Sequence, residues 1–153
     1  MTDLDKVIDP NTILFLKVEE RDEAIKELVE CLHRSHKLKV PDPFLAAVLA
    51  RETLVSTGIG MGVAFPHAKL PELKQFFVAI GIQKERGIEW HSPDRTPVRL
   101  IFLIGGPDNQ QNAYLTLLSR LTVVLKEEEC RKKLLKAESA EEVAELIISY
   151  TPD

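Results

Sequence analysis

Apolar residues recur at helical spacing in "RDEAIKELVECLHRSHK" (21–37), where Ala24, Ile25, Leu28, Val29 and Leu32 share a face and charges fill the other. This predicts an amphipathic helix. "PDPFLAAVLARETL" (41–54) predicts a second, with Asp42 as N-cap and Pro43 at the first helical position, where no amide donor is needed. Leu45, Val48 and Leu49 would be its buried stripe, and Arg51 falls near its end. The period then changes. "FFVAIGI" (76–82) and "VRLIFLI" (98–104) are rich in branched and aromatic residues and read as strands buried on both faces, and "GGP" ends the second. "GVAF" (62–65) is a shorter strand candidate leading into Pro66. After Asp108, Tyr114, Leu117, Leu118, Leu121 and Leu125 share one side of a long helix. "EEECRKKLLKA" (127–137) reads as a short charged helix, and "SAEEVAELIISY" (139–150) opens with a capping box, Ser139 paired with Glu142. Helices before, between and after buried strands predict an α/β fold, with helices covering a central sheet. The strands are too few and too unevenly spaced for a barrel. "KERGIEWHSPDRTP" (84–97) predicts a β excursion or exposed loop at one edge.

Composition narrows the picture. A chain of 153 residues suits one domain, residues 1–153, and 44% hydrophobic with 29% charged residues suits a globular core. The net charge of −4 gives no support to binding of nucleic acid or of an acidic membrane. The N-terminal "MTDLDKVIDPN" is acidic and broken by proline, unlike a secretory signal, and no apolar run approaches a membrane span. A cytoplasmic protein without membrane insertion is expected. Cys31 and Cys130 lack metal-ligand spacing and read as idle thiols in a reducing compartment. No metal is expected. His33 and His36 lie among Arg34, Lys37 and Lys39, where a solvated basic helix end is the simpler reading than a metal pair. His91, beside Trp90 in a polar loop, is expected to be exposed.

The candidate chemistry lies in "STGIGMGVAFPHAK" (56–69). Gly58, Gly60 and Gly62 can let backbone amides converge on an anion. Their spacing and context match neither the dinucleotide fingerprint nor a Walker loop. By themselves the glycines fit a tight helix-to-strand turn better than an anion cradle. His67 alters that balance. Imidazole is a nucleophile near neutral pH and can carry a covalent group, and Pro66 before it stiffens the backbone. Arg51, read alone, is a cation favoured at a helix C-terminus.

The full string "RETLVSTGIGMGVAFPHAKLPEL" (51–73) closely resembles the active-site segment of enzyme IIA domains of the fructose/mannitol class. These belong to the bacterial phosphoenolpyruvate-dependent phosphotransferase system and include nitrogen-regulatory members. Arg51, Glu52, Ser56, Thr57, Gly58, Gly60, Gly62, Ala64, Pro66 and His67 all meet the pattern. "IEWHSPDRTPVRLIFLIGGP" and "YLTLLSRLTVVLKEEECRKKLLKAES" extend the likeness over almost the whole chain. The resemblance implies a single α/β domain with a central mixed β-sheet flanked by helices on both faces. It implies that Nε2 of His67 accepts a phosphoryl group from the phosphohistidine of HPr or a paralogue, with no cofactor beyond that transient phosphohistidine. It casts Arg51 as the stabiliser of phosphoryl charge, with the Ser56 and Thr57 hydroxyls and the amides of the glycine loop as further donors. The family commonly carries a second histidine at the start of the helix after the core strand. Tyr114 stands there, and it reads equally as a second-site residue or as a core aromatic.

Three functions follow from the resemblance. One is a phosphohistidine carrier with a regulatory output, whose protein targets sense phosphorylation. Another is a free-standing component passing phosphate to a sugar-specific IIB domain for fructose- or mannitol-type uptake. The third is a binding scaffold that is never phosphorylated. The chain has no room for the cysteine-bearing acceptor domain or the membrane domain of a fused transporter. That, with Tyr114 in place of the second histidine, favours regulation.

Overall fold

The two buried-strand candidates become the centre of a sheet. The computed structural model describes residues 4–152. The first three residues of the acidic N-terminal segment and Asp153 lie outside the described residues. In chain order the elements are α1 (Leu4–Val7), a 3-10 turn (Pro10–Thr12), β1 (Ile13–Phe15), α2 (Arg21–Arg34), α3 (Pro41–Leu54), β2 (Gly58–Gly60), β3 (Val63–Ala64), β4 (His67–Lys69), β5 (Phe77–Ile82), β6 (Leu100–Gly106), α4 (Gln111–Lys126), α5 (Glu128–Lys136) and α6 (Ala140–Ser149). β5 and β6 are buried at every position and pair antiparallel from Phe77↔Gly105 to Ile82↔Leu100. The strand order is β1-β5-β6-β3-β2, with β4 also paired to β6. β1 is parallel to β5, β3 and β4 are parallel to β6, and β2 is antiparallel to β3, so the sheet is mixed.

Helices cover both faces. Ile25, Leu28 and Leu32 of α2, with Phe44 and Val48 of α3, pack on Ala79, Ile101 and Leu103. The opposite face, with Ile80, Phe102 and Ile104, is covered by α1, α4, α5 and α6. Two buried layers against one sheet make a three-layer α/β/α domain.

Several local readings shift. α3 begins at Pro41 after the extended residue Val40, so Pro41, not Pro43, occupies the start, and Asp42 is an acidic first-turn residue, not the cap. Its fully buried stripe is Phe44, Val48 and Glu52, while Leu45 and Leu49 are half-buried. The stripe is displaced because α3 presents to the sheet the side that also carries a hydrogen-bonded carboxylate. In α4, Val124 is buried and Leu118 is half-buried. β1, β2 and β4 span three residues each and offer too short an alternation to read. Ser139 caps α6 as expected, its Oγ accepting from the Glu142 amide at 3.1 Å. The Glu142 carboxylate accepts from the Glu138 amide, one residue before the cap, instead of closing the box on Ser139.

Both thiols are buried, and burial pushes Cys130 up to about 11. The 84–97 excursion contributes one isolated bridge, Ile88↔Val98, and folds inward to bury Trp90 completely.

Candidate functional site

The site begins with a broken strand. β3 and β4 lie on the same edge of β6, in line, at Val63↔Leu100 and His67↔Ile104. Between them, buried Pro66 has no amide to donate, but its carbonyl accepts from the Ile104 amide at 2.9 Å. β2 covers β3 only. The chain leaves α3 at Leu54 and reaches β2 through Val55–Thr57, with the Phe65 amide donating to the Thr57 carbonyl at 3.1 Å. The outer edge of β4 is therefore left open where His67 starts it, and the end of α3 packs nearby.

His67 is half-buried, and its Nδ1 lies 3.0 Å from the Phe65 carbonyl oxygen. A carbonyl only accepts, so Nδ1 carries the proton and Nε2 holds the free lone pair. Burial pushes the imidazole pKa down, the bond to Phe65 opposes this, and the charges of Arg51 and Lys69 lower it further against a smaller opposite pull from Glu52. The ring is neutral at neutral pH.

Arg51 comes from the last turn of α3, and its Nη1 donates to the Val55 carbonyl at 2.8 Å. Its charge acts on both His67 and Tyr114. Among the described residues it has no carboxylate partner. Tyr114 reaches the same place from α4. Its ring centroid lies 5.5 Å from that of His67, tilted by 42°. It is both a site neighbour and a buried member of the core. Burial raises its phenol pKa, Arg51 opposing, so the phenol is neutral. Its hydroxyl makes no hydrogen bond among the described residues.

The expected hydroxyl donors are engaged elsewhere. Ser56 Oγ donates to the Trp90 carbonyl at 2.5 Å and accepts from the Gly58 amide at 3.1 Å. Thr57 Oγ1 donates to the buried Glu52 carboxylate at 2.5 Å, and the Trp90 indole N–H donates to it at 3.1 Å. The second Glu52 oxygen accepts from the Thr57 amide at 2.8 Å. These hydroxyls shape the turn between Arg51 and His67 instead of facing an anion. The glycine tip is also displaced from the histidine. Gly60, Met61 and Gly62 all have positive φ and reverse the chain between β2 and β3, with the Met61 amide held by Asp94 at 2.9 Å. The Leu100 amide donates to the Gly62 carbonyl, whereas His67 pairs with Ile104. Four residues of strand separate those levels, roughly 13 Å. Gly60 and Gly62 are hairpin glycines, and Gly58 is a strand residue pressed against Ser92.

Lys69 and Trp90 complete the surroundings without having been singled out, as does Glu52, a matched position of the string to which no role was assigned. Lys69 had a usable signal, because residues two apart on a strand share a face. Glu52 had one too, continuing the stripe of Phe44 and Val48 at four-residue spacing. Trp90 had none, since it arrives from a distant loop. His33 and His36 are exposed at the end of α2, the former with Nδ1 2.9 Å from the Leu38 carbonyl oxygen, and His91 is exposed.

Fold and site together define a three-layer α/β domain with a neutral histidine on an open sheet edge, under the influence of an arginine and a lysine. The family model described as the phosphoenolpyruvate-dependent sugar phosphotransferase system, EIIA 2, matches residues 6–150, and the chain belongs to that family. It is 37% identical over 134 residues to a fructose-specific EIIABC component of Bacillus subtilis, covering 88% of this chain and 21% of that protein's length. The nitrogen regulatory protein IIA-Ntr of Neisseria meningitidis superposes with a TM-score of 0.86 at 30% identity, covering 94% of this chain and 98% of that one. The mannitol enzyme IIA of Escherichia coli, solved in complex with phosphorylated enzyme IIB, superposes with a TM-score of 0.75 at 25% identity, covering 91% and 95% respectively. Among the described residues no helix is long and apolar enough to cross a membrane.

Proposed function

We propose that this chain is a phosphohistidine carrier in which Nε2 of His67 takes a phosphoryl group from the phosphohistidine of an HPr-type protein, and that its output is regulatory. The observation that carries this reading is the Nδ1 bond to the Phe65 carbonyl, which leaves the Nε2 lone pair free beside Arg51. The step balances simply. The Nε2 lone pair forms a new P–N bond as the donor's P–N bond breaks, and that electron pair returns to the donor nitrogen. A donor ring protonated on its other nitrogen leaves as neutral imidazole, and His67 keeps its Nδ1 proton. One P–N bond replaces another, so the protein mainly has to align the rings and stabilise charge on the phosphoryl oxygens. Arg51 suits that task with a planar, permanently charged fork. Tyr114 in place of a second ionisable histidine supports a regulatory output over onward transfer. The mannitol relative in complex with phosphorylated IIB supports the alternative, a IIB acceptor.

The test is incubation with phosphoenolpyruvate, enzyme I and HPr, followed by intact-mass analysis. Wild type is expected to gain one acid-labile phosphoryl group, and folded His67→Gln none. Equal labelling of His67→Gln, or none of wild type, would overturn the reading. Transfer from the labelled protein to a IIB domain would decide for transport over regulation.

A further inference from the structure

Lys69 lies two residues beyond His67 on β4, and both side chains are half-buried on one face while Ala68 points into the core. The Lys69 ammonium sits 4.5 Å from the centroid of the Tyr114 ring and donates to the side-chain oxygen of Gln111. The same ring also neighbours the His67 imidazole, with centroids 5.5 Å apart. Tyr114 therefore touches both the nucleophile and a cation. The chain carries 24 acidic residues, yet none of the described ones pairs with Lys69. An aromatic face and a neutral amide hold the ammonium, and neither cancels its charge. Arg51 and Lys69 thus approach His67 from different elements, α3 and β4.

We propose that Lys69 is a second phosphoryl-binding cation of this site, seated by Tyr114 and Gln111. The proposal rests on the carrier reading and specifies how a site with tyrosine in place of a second histidine still gathers two positive charges. The ligand class is a phosphoryl dianion, on His67 or in free phosphate. Lys69 contacts its oxygens. Tyr114 is a positioning residue that acts through its ring, and its hydroxyl is not required. A tetrahedral anion has oxygens enough for both cations, Arg51 acting as a flat fork and Lys69 as a point charge.

Two readouts test this in Lys69→Met, Lys69→Arg, Tyr114→Leu and the Lys69→Met/Tyr114→Leu double variant, each checked for fold by thermal unfolding. The first is an NMR titration of the His67 ring with pH and with inorganic phosphate, which needs no donor protein. The second is the rate of phosphorylation by phospho-HPr. Lys69→Met is expected to raise the His67 midpoint, weaken the phosphate response, and slow phosphorylation by about ten- to a hundredfold, the size of one lost charge-assisted contact. Lys69→Arg should retain most of both responses. Tyr114→Leu should show a smaller loss, and the double variant should be no worse than Lys69→Met. Wild-type phosphate response and phosphorylation rate in folded Lys69→Met would overturn the proposal while leaving the carrier reading in place. A phosphate response that depends on Lys69 in a protein that accepts nothing from phospho-HPr would uphold the cation site and sink the carrier reading.

Discussion

At His67 the imidazole is held below its ordinary pKa of 6.5, first by burial and then by Arg51 and Lys69. The neutral, nucleophilic form therefore persists at pH values where an exposed histidine is already protonated. Phosphorylation of the free protein is expected to stay level as pH falls past 6.5 and to decline only below the depressed His67 midpoint. Stability moves with the same sign. In the unfolded chain this histidine binds its proton near 6.5, while the folded one does not, so stability is lost as pH falls from there and levels off below the folded midpoint. A pH series of phosphorylation rates, with an NMR titration that resolves His67 from the exposed His36 and His91, measures both. A His67 midpoint at or above 6.5 would contradict the burial argument.

At the level of elements, two glycines separate the site from its scaffold. Gly105 pairs with Ala68 of β4 on one side and Phe77 of β5 on the other. A Cβ there would lie 2.4 Å from the Phe77 ring and 2.7 Å from Phe44. Both rings are held in the core, where neither can withdraw. Gly105→Ala is expected to destabilise by about 1–3 kcal/mol through overpacking and to disturb β4, slowing phosphorylation. Gly62 differs, because its φ is +75° and a Cβ would stand 3.4 Å from the Pro97 carbonyl. Gly62→Ala is expected to cost about 1–2 kcal/mol of backbone strain and to leave phosphorylation unchanged, because the hairpin tip is remote from His67. Urea unfolding with phosphorylation assays on both variants checks this. Slow phosphorylation in Gly62→Ala alone would return the glycine tip to the site.

Across the whole molecule, the 84–97 loop closes over the β2–β3 hairpin and joins distant parts of the chain. Trp90, the single tryptophan, donates its indole N–H to Thr57, which binds Glu52 of α3. Asp94 holds Met61. Thr57→Val keeps the shape but leaves the Glu52 carboxylate short of a donor and the indole without its acceptor. A loss of about 2–4 kcal/mol is expected, since buried polar groups without partners are costly. A shifted Trp90 emission spectrum should accompany it. Unchanged stability and emission would show that the network is dispensable.

What this sequence determines by itself is local. The 3.6-residue period of Ala24, Ile25, Leu28 and Leu32 and the unbroken runs of β5 and β6 were legible because each depends on neighbours in the chain. The ten-position match from Arg51 to His67 marked the histidine and the arginine as candidates for the same reason. Which residues meet was decided by tertiary structure. The placement of β3 and β4 on β6 set the glycine tip apart from His67. The packing of α4 on the sheet brought Tyr114 beside both His67 and Lys69, and the return of a distant loop placed Trp90 on Thr57. Each of these contacts follows from strand register and long-range closure, and hydrophobic period carries neither, because it says which face is buried and not what lies against it.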